Sequence, residues 1–151
     1  MKKFKFNLES VLKYRKALER DQQWQLSVAG QALNKAREEL SDARATLENS
    51  YSTLEINKQI DVVAIQMQEH YRAHLTEKIE EKRKEVAQFQ MKFNERRAEL
   101  AKAAQAKEVI VTLKDQALVT HRHESGLEQQ NLIDELSSRL ITERTKGGSN
   151  G

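Results

Sequence analysis

Leucines recur at every seventh position along the first third of the chain, at Leu26, Leu33, Leu40, Leu47 and Leu54. A small residue stands three positions after each of the first four leucines, as Ala29, Ala36, Ala43 and Ser50. Spacings that alternate between three and four are the a/d pattern of a left-handed coiled coil. Because small side chains on one line let two helix axes approach closely, this pattern predicts a tightly packed helix pair.

A second seam of the same kind begins near Leu75. Its positions are Leu75, Ile79, Lys82, Val86, Phe89, Phe93, Arg96, Leu100 and Ala103. The two phenylalanines are large enough to fill the space along the alanine line of the first helix. Past Leu100 the apolar phase shifts by four residues, which is a stutter. Lys107, Lys114 and His121 then occupy positions where the earlier phase needs apolar residues, so the seam is expected to weaken or change partner there.

The segment EINKQIDVV separates the two seams and predicts a helix–helix turn at 57–61. Asn57 can end one helix in a left-handed conformation, and Asp61 can cap the next. The sequence therefore predicts an all-α fold, a long antiparallel two-helix coiled-coil hairpin over 1–144. Helix 1 covers about 8–56, helix 2 about 62–144 is longer and overhangs, and 145–151 form a flexible tail. One continuous helix would also suit the composition.

If the two helices run antiparallel from this turn with equal rise per residue, residue i lies opposite roughly residue 118 − i, and Leu8 lies opposite Ile110.

The composition supports long helices and excludes several other classes. The chain of 151 residues has no proline, five glycines, 32% charged residues and 5% aromatic residues, with a net charge of +3. So little turn chemistry argues against a fold of many short strands. The absence of cysteine excludes disulfides and thiolate metal sites. No apolar run approaches the roughly 20 residues of a membrane span, and MKKFKF lacks the apolar stretch of a signal peptide.

Candidate chemistry is sparse. His70 and His74 share a helical face at a spacing that can bind a metal, but no third ligand is fixed by the pattern, so a solvated face is favoured. Two helices form no enclosed pocket for catalysis. We therefore expect no metal, no cofactor and no enzymatic activity.

The first 20 residues are basic, with Lys2, Lys3, Lys5, Lys13, Arg15, Lys16 and Arg20 against only Glu9 and Glu19. This excess suits an acidic partner, or simply a solubilising helix end; nucleic acid is the weaker option because acidic residues are interleaved through the rest of the chain. Trp24, Tyr51 and Tyr71 are large residues for so thin a scaffold. Exposed aromatic residues often mark a binding site, although these could equally flank the seam.

Two stretches give the sequence a specific resemblance. FKFNLESVLKYRKALE, with Phe4, Phe6, Leu8, Val11, Leu12, Arg15 and Glu19, resembles the N-terminal signature of the FliJ family. LEQQNLIDELSSR is similar to the second signature of that family, although it lacks the basic residue often found before the acidic pair Asp134–Glu135. The family comprises small cytoplasmic components of the flagellar type III export apparatus.

The resemblance implies a coiled coil like the central stalk of a rotary ATPase, monomeric when free. It implies docking into a hexameric flagellar export ATPase, contact with the export-gate membrane protein and with export chaperones, and a cytoplasmic location at the inner-membrane face of the flagellar base. We expect the ATPase ring to contact Lys2, Lys3, Lys5, Arg15, Leu132, Asp134 and Glu135. We expect the export gate to contact Leu47, Tyr51, Leu54, Tyr71 and Leu75.

Three other interpretations stay open at this stage. A homodimeric coiled-coil scaffold would share the seam, the stalk protein of a virulence secretion system would look almost the same, and a helical nucleic-acid-binding protein would share the basic end.

Overall fold

The chain forms two long helices that pack against each other in antiparallel directions. The computed structural model describes residues 2–56 and 61–148, without the side chains of 53–56. Helix α1 spans Glu9–Ile56 and has 48 residues, and helix α2 spans Val62–Gly147 and has 86. No strand occurs in these two ranges. The prediction of an all-α hairpin with a longer second helix is confirmed.

The helix ends follow from local hydrogen bonds. The backbone N–H of Glu9 donates to the carbonyl of Phe6 at 3.2 Å, where α1 begins. Asp61 caps α2, because its Oδ1 accepts a hydrogen bond from the N–H of Val63 at 3.1 Å, as the sequence predicted. The rest of the predicted turn, 57–60, lies outside the described residues. Helix α2 continues to Gly147, three residues into the segment predicted as a tail.

The chain divides into two compact units, and the larger, 17–104, contains most of the buried seam. Its buried apolar side chains are Leu33, Ala36, Leu40 and Ala43 of α1 and Leu75 of α2. Both lines of the heptad in α1 therefore face the core, as the spacing predicted. At Gly30 a large side chain of α2 packs against the backbone of α1, because a Cβ built there would stand 3.4 Å from Cε2 of Phe93. Small residues on α1 thus accommodate large ones on α2.

Polar side chains also join the helices of this unit. Lys82, a charged residue at a seam position, forms an ion pair with Glu39 at 2.9 Å. Nearby, Arg37 donates a hydrogen bond to Gln90 at 2.7 Å. The long side chain of a seam lysine can therefore lie partly buried while its ammonium reaches the edge of the helix pair.

The smaller unit joins the N-terminal segment to the middle of α2. Leu12 is its most buried side chain, at 2% exposure. Glu9 forms an ion pair with Lys114 at 2.9 Å, and the rings of Phe4 and His121 lie 5.4 Å apart. Lys114 and His121 are two of the polar residues at which the predicted seam weakened. The structure shows that the N-terminal segment contacts them.

Side-chain contacts between the helices fall about one helical turn later on α2 than the predicted pairing. The turn position placed residue 109 opposite Glu9, whereas the contact is made by Lys114. Side chains on a helix lean toward its N-terminus. In an antiparallel pair the side chains of the two helices therefore lean in opposite directions along the common axis. As a result, the side chain of an α1 residue contacts a residue of α2 that lies later in the chain than the α2 residue at the same height.

The Glu39–Lys82 ion pair gives a pH-dependent contribution to stability. The hydrogen bond from Lys82 lowers the pKa of Glu39 below its usual 4.5, and the same bond raises the pKa of Lys82 above its usual 10.5. Because folding lowers its pKa, the carboxylate stabilises the fold at pH values above the pKa of the unfolded state. This stabilisation is lost as the pH falls through the lower pKa of the folded state. For Lys82 the contribution is lost as the pH rises through its raised pKa.

We therefore expect Glu39→Gln to lower the melting temperature at neutral pH by a few degrees at most, as for a surface ion pair. The difference from the unaltered chain should shrink toward zero at an acidic pH below the lowered pKa of Glu39, where its carboxyl is protonated in both the folded and the unfolded states. Thermal melts followed by circular dichroism at both pH values measure this. Glu38→Gln is the control, and an equal effect of the two substitutions would contradict the prediction.

Candidate partner-binding surfaces

The N-terminal segment places its lysines beside α2. Lys2, Lys3 and Lys5 are exposed and line a shallow groove whose other wall includes Glu124 and Glu128 of α2. At the base of the segment, the hydrogen bond from Lys114 lowers the pKa of the Glu9 carboxyl. The groove therefore carries three exposed lysines against two glutamates, a small excess of positive charge.

Arg15, the fourth basic residue of the predicted ring contact, lies apart from this groove. Its side chain is half-buried, and its guanidinium carbon stands 6.0 Å from the ring centre of Tyr14, its neighbour on α1. The predicted set of basic residues is therefore divided between a groove and a helix surface.

The last part of α2 carries an uncovered apolar face. Every residue from 126 to 148 is exposed. Four of them form what we call the C-terminal stripe: Leu132, Ile133, Leu136 and Leu140, each at least half exposed. Their spacing of three and four places them on one helical face. Large apolar side chains grouped in this way on a helix surface are typical of a protein–protein contact.

The acidic residues predicted to contact the ring lie within this same segment. Asp134 accepts a hydrogen bond from Gln130 at 3.1 Å, and Glu135 forms an ion pair with Arg139 at 3.0 Å. Each partner is one turn away on the same helix. These exposed pairs contribute little to stability and leave both carboxylates accessible.

The residues predicted to contact the export gate have different environments. Leu75 is buried in the core and Leu47 is half-buried, while Tyr71 and Tyr51 are exposed. The side chain of Leu54 lies outside the described residues. Leu75 therefore belongs to the core under this surface and is not itself available to a partner. Tyr71 has an exposed ring, and it lines a groove together with His74 and Thr46.

Arg72 is the residue near this surface that the sequence analysis missed. It is 8% exposed, and its guanidinium lies 4.2 Å from the ring centre of Tyr51. It donates hydrogen bonds to the backbone carbonyl of Ser50 at 3.4 Å and to the side chains of Gln68 and Glu69 at 3.3 Å. The sequence did contain a signal for its burial. If the seam is extended by three residues toward the N-terminus from Leu75, its next position is Arg72.

The described ranges contain no group of three or more His, Cys, Asp or Glu side chains that could hold a metal ion. His70 and His74 are both exposed on α2. Neither α1 nor α2, as far as each is described, is apolar enough over a sufficient length to cross a membrane.

Comparison with known families identifies the chain. The sequence model described as "Flagellar FliJ protein" matches residues 4–146. The chain belongs to the FliJ family. The match includes both stretches that carry the resemblance in the sequence, so that prediction is confirmed. No individual curated protein matches the chain, and no solved structure does so.

As a FliJ-family protein, the chain is a component of the flagellar export apparatus, a type III secretion machine. The family consists of structural and chaperone-like export components and is not a known enzyme family. Its long helical hairpin is what a coiled-coil component requires. The two uncovered surfaces of the smaller unit, basic and apolar, are thus surfaces of an export protein.

Proposed function

We propose that this FliJ-family protein is a non-enzymatic, stalk-like coiled coil that docks into the hexameric export ATPase and promotes its assembly and activity. It also links the ATPase to the export-gate membrane protein and to export chaperones, in the cytoplasm at the inner-membrane face of the flagellar base. The observation that carries the proposal is the C-terminal stripe, an apolar face on a helix segment in which all residues from 126 to 148 are exposed.

The position of the basic groove supports the same proposal. Lys2, Lys3 and Lys5 lie beside α2 at Glu124 and Glu128, shortly before the stripe begins. An apolar contact with nearby charges combines affinity with salt-sensitive orientation. Such a contact suits a protein that must bind a ring whose subunits change conformation.

The test is to add the purified chain to its export ATPase and to measure ATP turnover. We expect stimulation by the full chain and a clear loss on deletion of residues 2–6, because the deletion removes three lysines and the contact of Phe4 with His121. The triple substitution of glutamine for Lys2, Lys3 and Lys5 separates charge from packing. It should lose stimulation mainly as ionic strength rises, when screening weakens the remaining charges. Full stimulation by the truncated chain would contradict a role for this segment.

For the export gate, we propose a contact centred on Tyr71. Tyr71→Ala should weaken binding to the purified gate protein by about tenfold, within the range for an aromatic interface residue, while ATPase stimulation stays unchanged. Tyr14→Ala is the matched control, since Tyr14 is an exposed tyrosine of the other unit. Tyr51 is not a suitable substitution because it supports buried Arg72. Calorimetry measures the affinities, and equal binding by the Tyr71 variant would refute the gate assignment.

A further inference from the structure

A groove between α1 and α2 within 17–104 has no place in the proposed contacts with the ring or the gate. It has a volume of about 640 Å³, and its walls include Trp24, Val28 and Ala32 of α1 and Phe89 of α2. Trp24 is 67% exposed and is the one tryptophan of the chain. A tryptophan exposed in this way leaves a large apolar surface in water.

The shape of the groove follows from the small residues of α1. Ala29 and Ala32 give the groove a lining of small side chains on α1, together with the half-buried ring of Phe89 on α2. Trp24 and Val28, one turn apart, share a face of α1 and form one wall. Because the groove lies between two helices and small side chains of α1 line it, it can accept the apolar side chains of a third helix packed along the pair.

The rim of the groove is charged and incompletely neutralised. Lys92 and Arg96 of α2 line it, together with Glu95. Elsewhere on α2, Lys82 and Lys114 each reach a carboxylate of α1 at 2.9 Å. No carboxylate of the described residues lies within ion-pair distance of Lys92 or Arg96; the ammonium of Lys92 instead stands 5.6 Å from the ring centre of Phe89.

We propose that this groove is a docking site for an amphipathic α-helix of another protein, with an apolar face that covers Trp24 and acidic side chains that pair with Lys92 and Arg96. The excess positive charge of the rim selects the partner, because like-charged surfaces of two copies would repel each other. The proposal goes beyond the ring and gate contacts and does not depend on them.

The experiment selects helical peptides that bind to the full chain. A displayed library of amphipathic helices has a fixed leucine face and flanking positions that vary among glutamate, lysine and glutamine. We expect selected helices to be enriched in glutamate at the flanks and to shift the emission of Trp24 to shorter wavelength. Trp24→Ala should weaken their binding at least about tenfold, as for a central aromatic residue. Met91→Ala, at an exposed α2 residue outside the groove, should leave it unchanged.

A charge exchange gives the second, independent measurement. In the double variant Lys92→Glu, Arg96→Glu, the preference should reverse toward lysine-flanked helices, a result that a general loss of folding cannot produce. Selected helices that bind the Trp24 variant equally well, or a library that yields no Trp24-dependent helix, would overturn the proposal. Concentration-dependent sedimentation of the chain that is abolished by Trp24→Ala would also overturn it, since a second copy would then cover the groove.

Discussion

Replacement of Leu33 by alanine should lower the free energy of unfolding by about 2–4 kcal/mol, the usual cost of removing a buried leucine side chain. Leu33 is 3% exposed and lies in the middle of the buried line of α1. The helices cannot readily close the resulting void, because Phe93 already stands against Gly30, one turn away on α1. The lost apolar contact is therefore not replaced.

Chemical denaturation followed by circular dichroism measures this effect. Leu140→Ala is the matched control, with the same change of side chain at a position that is 61% exposed. It should change the free energy of unfolding by no more than about 0.5 kcal/mol. If both substitutions cost the same, the seam described for 17–104 does not hold the helices together.

Substitution of glutamine for Ile133, Leu136 and Leu140 should reduce the stimulation of ATP turnover by the export ATPase about tenfold or more. The reason is that apolar groups at the centre of a contact dominate its affinity. The thermal unfolding of the chain should not change. All three side chains are at least half exposed, and glutamine has a good helix propensity.

The control variant is Ser138→Gln, which introduces glutamine on the opposite face of the same helix segment. It lies two residues from Leu136, a rotation of about 200° around the helix. Stimulation by this variant should equal that of the unaltered chain. If the triple variant also stimulates fully, the C-terminal stripe is not the contact with the ring. The groove beside Trp24 is tested by other substitutions, so it would be unaffected by that result.

The sequence was sufficient to predict the two helices, because heptad spacing depends only on helix geometry and apolar burial. Leu33, Leu40 and Leu75 all face the core as the spacing requires. The capping role of Asp61 was also predictable, since it is a local hydrogen bond.

The surface was less predictable, because it depends on which side chains meet across the pair. Phe4 contacts His121, a pairing that no local pattern encodes. Arg72 occupies a seam position, and its burial becomes understandable only from its partners Ser50 and Tyr51 on the other helix. The groove at Trp24 likewise arises from residues of both helices. Long-range pairing, with the lean of side chains along each axis, was the missing information.

The contacts of Arg72 have a mechanical consequence for 17–104. If α2 slid by one heptad against α1, the guanidinium would leave the carbonyl of Ser50 and the ring of Tyr51 and arrive beside Ala43, which is buried. Arg72 would keep its partners Gln68 and Glu69 on α2 but lose both partners on α1, and removing a hydrogen-bond partner from a buried charged group costs about 1.5–3 kcal/mol. The contacts of Arg72 therefore oppose axial sliding of α2 along α1 and fix the register of the pair within 17–104.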